Sequence, residues 1–346
     1  MAHDDLRSFL DTLEREGQLL RITEQVLPEP DVAAAANAAA RMGEAAPALY
    51  FDNVSGFDNA RIAMNVHGSW ANHALALGLP KTTGTKDQVD EFIARWAKFP
   101  VKPEWRDNPP WAANSVEGDD VNIFGILPLL RLNDGDGGFY IDKAAIVSKD
   151  PDDPENSGKQ NVGIYRIEVK GKRKLALQPV PMHDIAQHLR KAEQVGDDLP
   201  IAITLGNDPV ISIVAATPMR YDENEYELAG ALRGEPAPIA AAPLTGLPVP
   251  WGNVRFQLTY SYIGLRYSDP GNAQVLPSYQ TLDAGIISQI GDHLEVRLQG
   301  SNLTNELGVT EQDARALSGT SGSSGGFALG RPIFGREENI GVKYKF

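Results

Sequence analysis

The chain has 346 residues, no cysteine and a formal net charge of −14 at neutral pH. The lack of thiols excludes disulfides, thiolate nucleophiles, iron–sulfur ligation and zinc ribbons, and the acidic balance argues against nucleic acid or an anionic membrane surface as partner. Acidic residues in the opening MAHDDLRSF give no secretory signal and no apolar run is as long as a membrane span, so the expected location is cytoplasmic.

Residues 5–16 predict a helix with Leu6, Phe9, Leu10 and Leu13 on one face and Gly17 ending it. LLRI (19–22) reads as a strand, and an alanine-rich helix is expected from Asp31 to Met42, stopped by Gly43. ALYFDNV (48–54) and RIAMNV (61–66) read as core strands, and residues 87–97 as an amphipathic helix through Val89, Phe92, Ile93 and Trp96. This alternation predicts an α/β layer, with the Pro/Trp-rich VKPEWRDNPPW (101–111) as a linker out of it.

From Asn122 the pattern turns mostly β: IFGILPLL, the turn NDGDGG (133–138), FYIDKAAIVS (139–148), a solvated loop at 150–160, and the strand NVGIYRIEV (161–169). KGKRK (170–174) reads as a hairpin turn into LALQPV, and HDIAQHLRKAEQVG (183–196) as a short helix. PIAITLG (200–206) and VISIVAAT (210–217) are expected as further strands, which suits a small barrel-like sheet.

Within NVGIYR (161–166), strand alternation puts Asn161, Gly163 and Tyr165 on one face and Arg166 on the other. Gly163 leaves room for a flat ligand to approach the backbone, and Arg166 offers a planar fork for phosphate or carboxylate. Asn161, His183 and Glu225 supply an amide, an imidazole and a carboxylate, a hard-to-borderline set suited to Mn²⁺ or Mg²⁺. Their spacing matches no metal motif, so a turn asparagine, a core histidine and a surface glutamate remain open by residue type alone. His188 rivals His183, Arg166 has Glu168 as an ordinary ion-pair partner, and Ile164 and Tyr165 read as core.

Taken in order, NVGIYR, PMHD (181–184) and NEYELAGALRG (224–234), with DGDGGFYI and LPIAITLGNDP, resemble the cofactor-site segments of the UbiD family of decarboxylases. The resemblance spans roughly residues 5–250 and is nearest to hydroxyarylic acid decarboxylases of the vanillate, gallate or 4-hydroxybenzoate type. It implies an α/β N-terminal domain (1–110), a mostly-β split-barrel flavin-binding domain (111–250), and a C-terminal α/β domain used for homo-oligomers. It also implies prenylated FMN and Mn²⁺ (or Mg²⁺) as cofactors, a small aromatic acid as substrate, and a flavin prenyltransferase as the cofactor's supplier. On this resemblance Asn161, His183 and Glu225 match the metal positions, the ion bridging protein and flavin phosphate. Asn161, Val162, Gly163, Ile164, Tyr165 and Arg166, with Met182 and His183, match the flavin contacts. Arg166 also matches the arginine that steers the substrate carboxylate.

The family pattern then stops. Neither E-I-V-L-E-G nor E-G-P-[YF]-G-[DE], which carries the proton-returning acid, occurs in the chain. Instead Val254, Phe256, Leu258, Tyr260 and Tyr262 alternate with polar residues, as do Ile340, Val342, Tyr344 and the final Phe346. Residues 251–346 resemble the last strands of a TonB-dependent outer-membrane receptor, giving antiparallel amphipathic strands of an incomplete barrel fragment joined to a truncated decarboxylase. Loss of the proton donor alone is expected to cost about 10²–10⁴ in rate, and oligomer contacts are expected to go with the missing domain.

Overall fold

The computed structural model describes residues 2–133 and 135–252 in full and, beyond them, only the backbone of strands between residues 261 and 344. It divides into one compact unit of Met1–His188 with Ile201–Leu258 and a second of Leu189–Pro200 with Thr259–Phe346.

In the first unit, helix Leu6–Arg15 begins at a reciprocal cap: the Asp5 carboxylate accepts the Ser8 N–H at 2.9 Å and the Asp5 N–H donates to Ser8 Oγ at 3.1 Å. Its Phe9, Leu10 and Leu13 are buried as the periodicity requires, and Gly17, at φ 69°, turns the chain into strand Leu19–Ile22. That strand runs parallel to Ala48–Phe51, which pairs antiparallel with Ile62–Met64. The alanine helix is shorter than expected, Ala33–Ala40, because a turn holding Pro28 and Pro30 takes up its start.

Helix Thr85–Trp96 forms, but its apolar stripe is only half used: Val89 and Ile93 are 47% and 60% exposed. Its orientation follows Arg95, whose Nη1 donates to the carbonyls of Leu77 and Leu232 at 2.7 Å each, so that Phe92 and Trp96 turn inward. The expected linker is no linker. Glu104–Trp105 is an edge strand parallel to Pro238–Ala241, with the Glu104 and Arg106 amides donating to Ala237 and Ile239 at 2.9 and 2.8 Å.

The central region holds two further three-stranded antiparallel sheets. One orders Ala202–Thr204, Ala145–Lys149 and Gln160–Gly163; the other orders Phe139–Ile141, Arg166–Gly171 and Lys174–Gln178. Among the described residues none closes into a barrel. Two expected strands are helical: Ile123–Ile126 makes one turn around the buried Ile123, and Pro209–Val214 is a helix. In the second, Asp208 caps the Val210 N–H at 2.8 Å and Pro209 occupies the first turn, which outweighs the strand preference of the valines and isoleucines. NVGIYRIEV is also interrupted, at Ile164 and Tyr165, between the two sheets.

Beyond residue 252, the backbone of Ala284–Ile290, Leu294–Ser301 and Glu337–Tyr344 forms one antiparallel sheet. The alternating faces expected there, and the receptor resemblance built on them, concern side chains outside the described residues. No described helix is long and apolar enough to cross a membrane.

Arg233 ties parts of the first unit together, and His67 gives it a pH dependence. The Arg233 guanidinium, 2% exposed, pairs with Asp208 and donates to the His3 carbonyl at 2.6 Å, joining the N-terminus to two helices. Arg233→Met strands a buried carboxylate, and urea unfolding is expected to show a loss of about 3–5 kcal/mol. For His67, burial and then the charges of Lys143 and His73 push the imidazole pKa down to about 4. Its folded pKa lies below the unfolded value, so its contribution is full above the unfolded pKa and is lost as pH falls towards the folded one. Between pH about 7.5 and about 5 the native state should lose on the order of 2 kcal/mol that a His67→Leu variant does not lose, read from unfolding midpoints.

Candidate functional site

Strand Gln160–Gly163 is the floor of the site. All four of its residues are buried, in the register Val147↔Val162 and Ser148↔Asn161 against its neighbour. Asn161 is 4% exposed; its Oδ1 accepts the Tyr165 hydroxyl at 3.0 Å, while its Nδ2 is buried without a hydrogen-bond partner among the described residues.

Glu225 opens helix Glu225–Arg233, whose cap Asn224 accepts the Tyr226 N–H and donates to the Ser157 carbonyl, both at 2.8 Å. That capping turns the Glu225 carboxylate inward, where it accepts the Val162 N–H at 3.0 Å and is 5% exposed, so the surface-glutamate alternative is excluded. Burial lifts its pKa to about 8, against the lowering effect of its own and the Val162 N–H groups, with Asp184 raising it further. Burial likewise pushes the Tyr165 phenol up to about 12, offset in part by the bond to Asn161.

The His183 ring lies 5.2 Å from the Tyr165 ring, half-buried, with Nδ1 facing the Val180 N–H at 3.3 Å. His188, on the following helix, is 1% exposed with Nδ1 bonded to Ser148 Oγ at 3.0 Å. Asn161, Tyr165 and Glu225 therefore converge, and His183 flanks them across the tyrosine ring. Asp184 joins this group, its carboxyl held up by burial and lowered by His183; in the sequence only its place beside His183 signalled it. Met182 does not line the cluster: it is 80% exposed. The room expected over Gly163 is filled by the Tyr165 ring, whose Cζ would lie 2.6 Å from an added Cβ.

Arg166 makes no pair with Glu168, which binds Lys170. Its guanidinium reaches the Gln178 Oε1 at 3.4 Å and lies 5.9 Å from the Tyr140 ring centre. With Ile164, Tyr165, Tyr140 and Lys143 it lines a cleft of about 500 Å³.

The donor set of amide oxygen, imidazole and buried carboxylate fits a hard-to-borderline divalent ion by its chemistry. Among the described residues no three His, Asp or Glu side chains form a metal site by themselves. In the state described, the Tyr165 hydroxyl holds the amide oxygen that an ion would take.

Two family models match this chain: the 3-octaprenyl-4-hydroxybenzoate carboxy-lyase N-terminal domain over residues 10–92 and the Rift-related domain of that enzyme over residues 103–253. Through these residues the chain belongs to the UbiD family. A phenolic acid decarboxylase of Streptomyces sp. (strain D7) is 72% identical over 253 residues, 73% of this chain and 53% of the relative. The closed form of Sedimentibacter hydroxybenzoicus vanillic acid decarboxylase is 38% identical with a TM-score of 0.71, covering 100% of this chain and 63% of that one. A UbiD-class enzyme of Pelotomaculum thermopropionicum, solved with prFMN, shares the fold at 21% identity and a TM-score of 0.63. This UbiD chain spans about half the length of the curated relatives it matches.

The buried carboxylate gives a paired prediction. Glu225→Ala leaves the Val162 N–H unsatisfied and should cost about 1–3 kcal/mol in urea unfolding. Glu225→Gln keeps an acceptor there and should lose far less stability.

Proposed function

We propose that this chain carries the cofactor half of a UbiD-type carboxy-lyase that decarboxylates a hydroxylated aromatic acid of the 4-hydroxybenzoate, vanillate or gallate class without oxidation. The observation that carries the reading is the convergence of Asn161 and Glu225 on one buried strand beside a cleft lined by Arg166. The high identity to phenolic acid decarboxylases supports it.

Asn161, His183 and Glu225 would hold Mn²⁺ or Mg²⁺, and residues 161–166 would border prenylated FMN. The chemistry supplied by that flavin when bound is an electron sink for the aromatic ring. The protein's own part is binding and orientation. Arg166, bonded only weakly to Gln178, is free to fork onto the substrate carboxylate and hold it in place, where expulsion of water raises the energy of the charged group that departs as CO₂. The proton that must replace the carboxyl group comes, in this reading, from an acid in a downstream segment that this sequence lacks.

The match to the family model ends at residue 253, and in this reading residues 251–346 are receptor-like strands joined to a UbiD module, a joining that rests on the sequence pattern alone. The same observation favours a second reading, a flavin- and metal-binding remnant without turnover. Co-expression with a flavin prenyltransferase, followed by gel filtration and CO₂ release from 4-hydroxybenzoate or vanillate, separates them. Retained flavin with a rate about 10²–10⁴ below that of a full-length relative is expected. Flavin without CO₂ selects the remnant, and no retained flavin sinks both.

A further inference from the structure

Lys143 stands where the two central sheets meet, and the strand register there is uneven. One ladder pairs Ile141 with Ile167, and the next pairs Ile146 with Gly163. Residues 142–145 thus oppose only residues 164–166, which leaves one extra residue on the first strand, the arrangement of a β-bulge. Lys143 carries the cost of it at φ 57°, the left-handed region that glycine occupies freely and lysine does not. Bulges re-aim side chains at the rims of sheets, and a residue held in a disfavoured backbone region marks a place where the surrounding structure imposes a geometry.

Lys143 and Arg166, from the two sides of this junction, line the same cleft. No hydrogen bond or salt bridge joins Lys143 to another described residue, although its charge is felt at Asp142, His67 and His73. Arg166 has only the neutral Gln178 amide and the Tyr140 ring. Two carboxylates also line the cleft: Asp136, which accepts the Asn133 N–H of its own loop at 3.1 Å, and Asp142, which burial and the Asp136 charge push towards its neutral form against the pull of Lys143. Two cations in one cleft, neither bonded to a carboxylate, form a site for an oxyanion.

We infer that Lys143 is a second anion-binding residue of this cleft, acting with Arg166 on one oxyanion of the ligand, a carboxylate or a phosphate. This rests on the reading of the cleft as a cofactor and substrate site, and goes beyond it by adding a cation from the neighbouring strand.

The test compares wild type, Lys143→Gly and Lys143→Arg for binding of two ligand pairs by equilibrium dialysis: 4-hydroxybenzoate against phenol, and FMN against riboflavin. Wild type should prefer the anionic member of at least one pair. Lys143→Gly should reduce that preference about tenfold while its melting temperature holds or rises, because glycine accepts the bulge geometry, and Lys143→Arg should keep the preference. Loss in the first pair assigns the carboxylate, and loss in the second assigns the phosphate. If Lys143→Gly keeps the wild-type preference, the role of Lys143 is overturned and the decarboxylase reading stands. If wild type prefers neither anion, the oxyanion site falls for Lys143 and Arg166 together.

Discussion

One hydrogen bond organises the site: the buried Glu225 carboxylate accepting the Val162 N–H. An edge residue of a buried strand has to place its amide somewhere, and an unpaired amide in that environment is costly. Here the partner is a side chain at the start of a helix, where the helix's own N–H groups and dipole favour negative charge. Burial works against that charge and wins, lifting the carboxyl towards its neutral form. The group is therefore held by its neighbours and made electrostatically tense by the same packing, a condition that a divalent ion would relieve.

Helix Glu225–Arg233 serves both ends of this design. At its start stands Glu225, and at its end Arg233 joins Asp208 and the His3 carbonyl. Between them, Gly230 lies so close to the Val101 carbonyl that an added Cβ would come within 2.8 Å of it, so the helix can seat against that segment only with a residue lacking a side chain there. Arg95 fixes the same helix from the other side through the Leu232 carbonyl. A carboxylate positioned by so many contacts along one rigid element is held more narrowly than a loop residue would be.

What the chain shares with UbiD proteins is residues 10–92 and 103–253, and the cleft lined by Arg166 lies within them. Tyr165 occupies the space above Gly163 and engages the Asn161 amide, so the aromatic ring stands where the strand pattern left room. A flat cofactor over Gly163 therefore requires that ring to move, and its hydroxyl to release the amide oxygen together with it.

The sequence by itself determined the amphipathic helices at 6–15 and 85–96, several strands and the candidate chemistry. Gly17 marks the end of the first helix because capping depends on residues close in the chain. The ordered motifs carried the family, and with it Asn161, His183, Glu225 and Arg166. What it did not decide was anything set by distant partners. Whether Glu225 faces water or the core, whether Val89 and Ile93 are buried, and whether Glu104–Trp105 is a linker or a strand depend on Val162, on Arg95 and on Pro238–Ala241. Likewise the bulge at Lys143 arises only from two ladders whose registers differ by one residue. Periodicity reports which side chains share a face; only the packed chain fixes what that face meets.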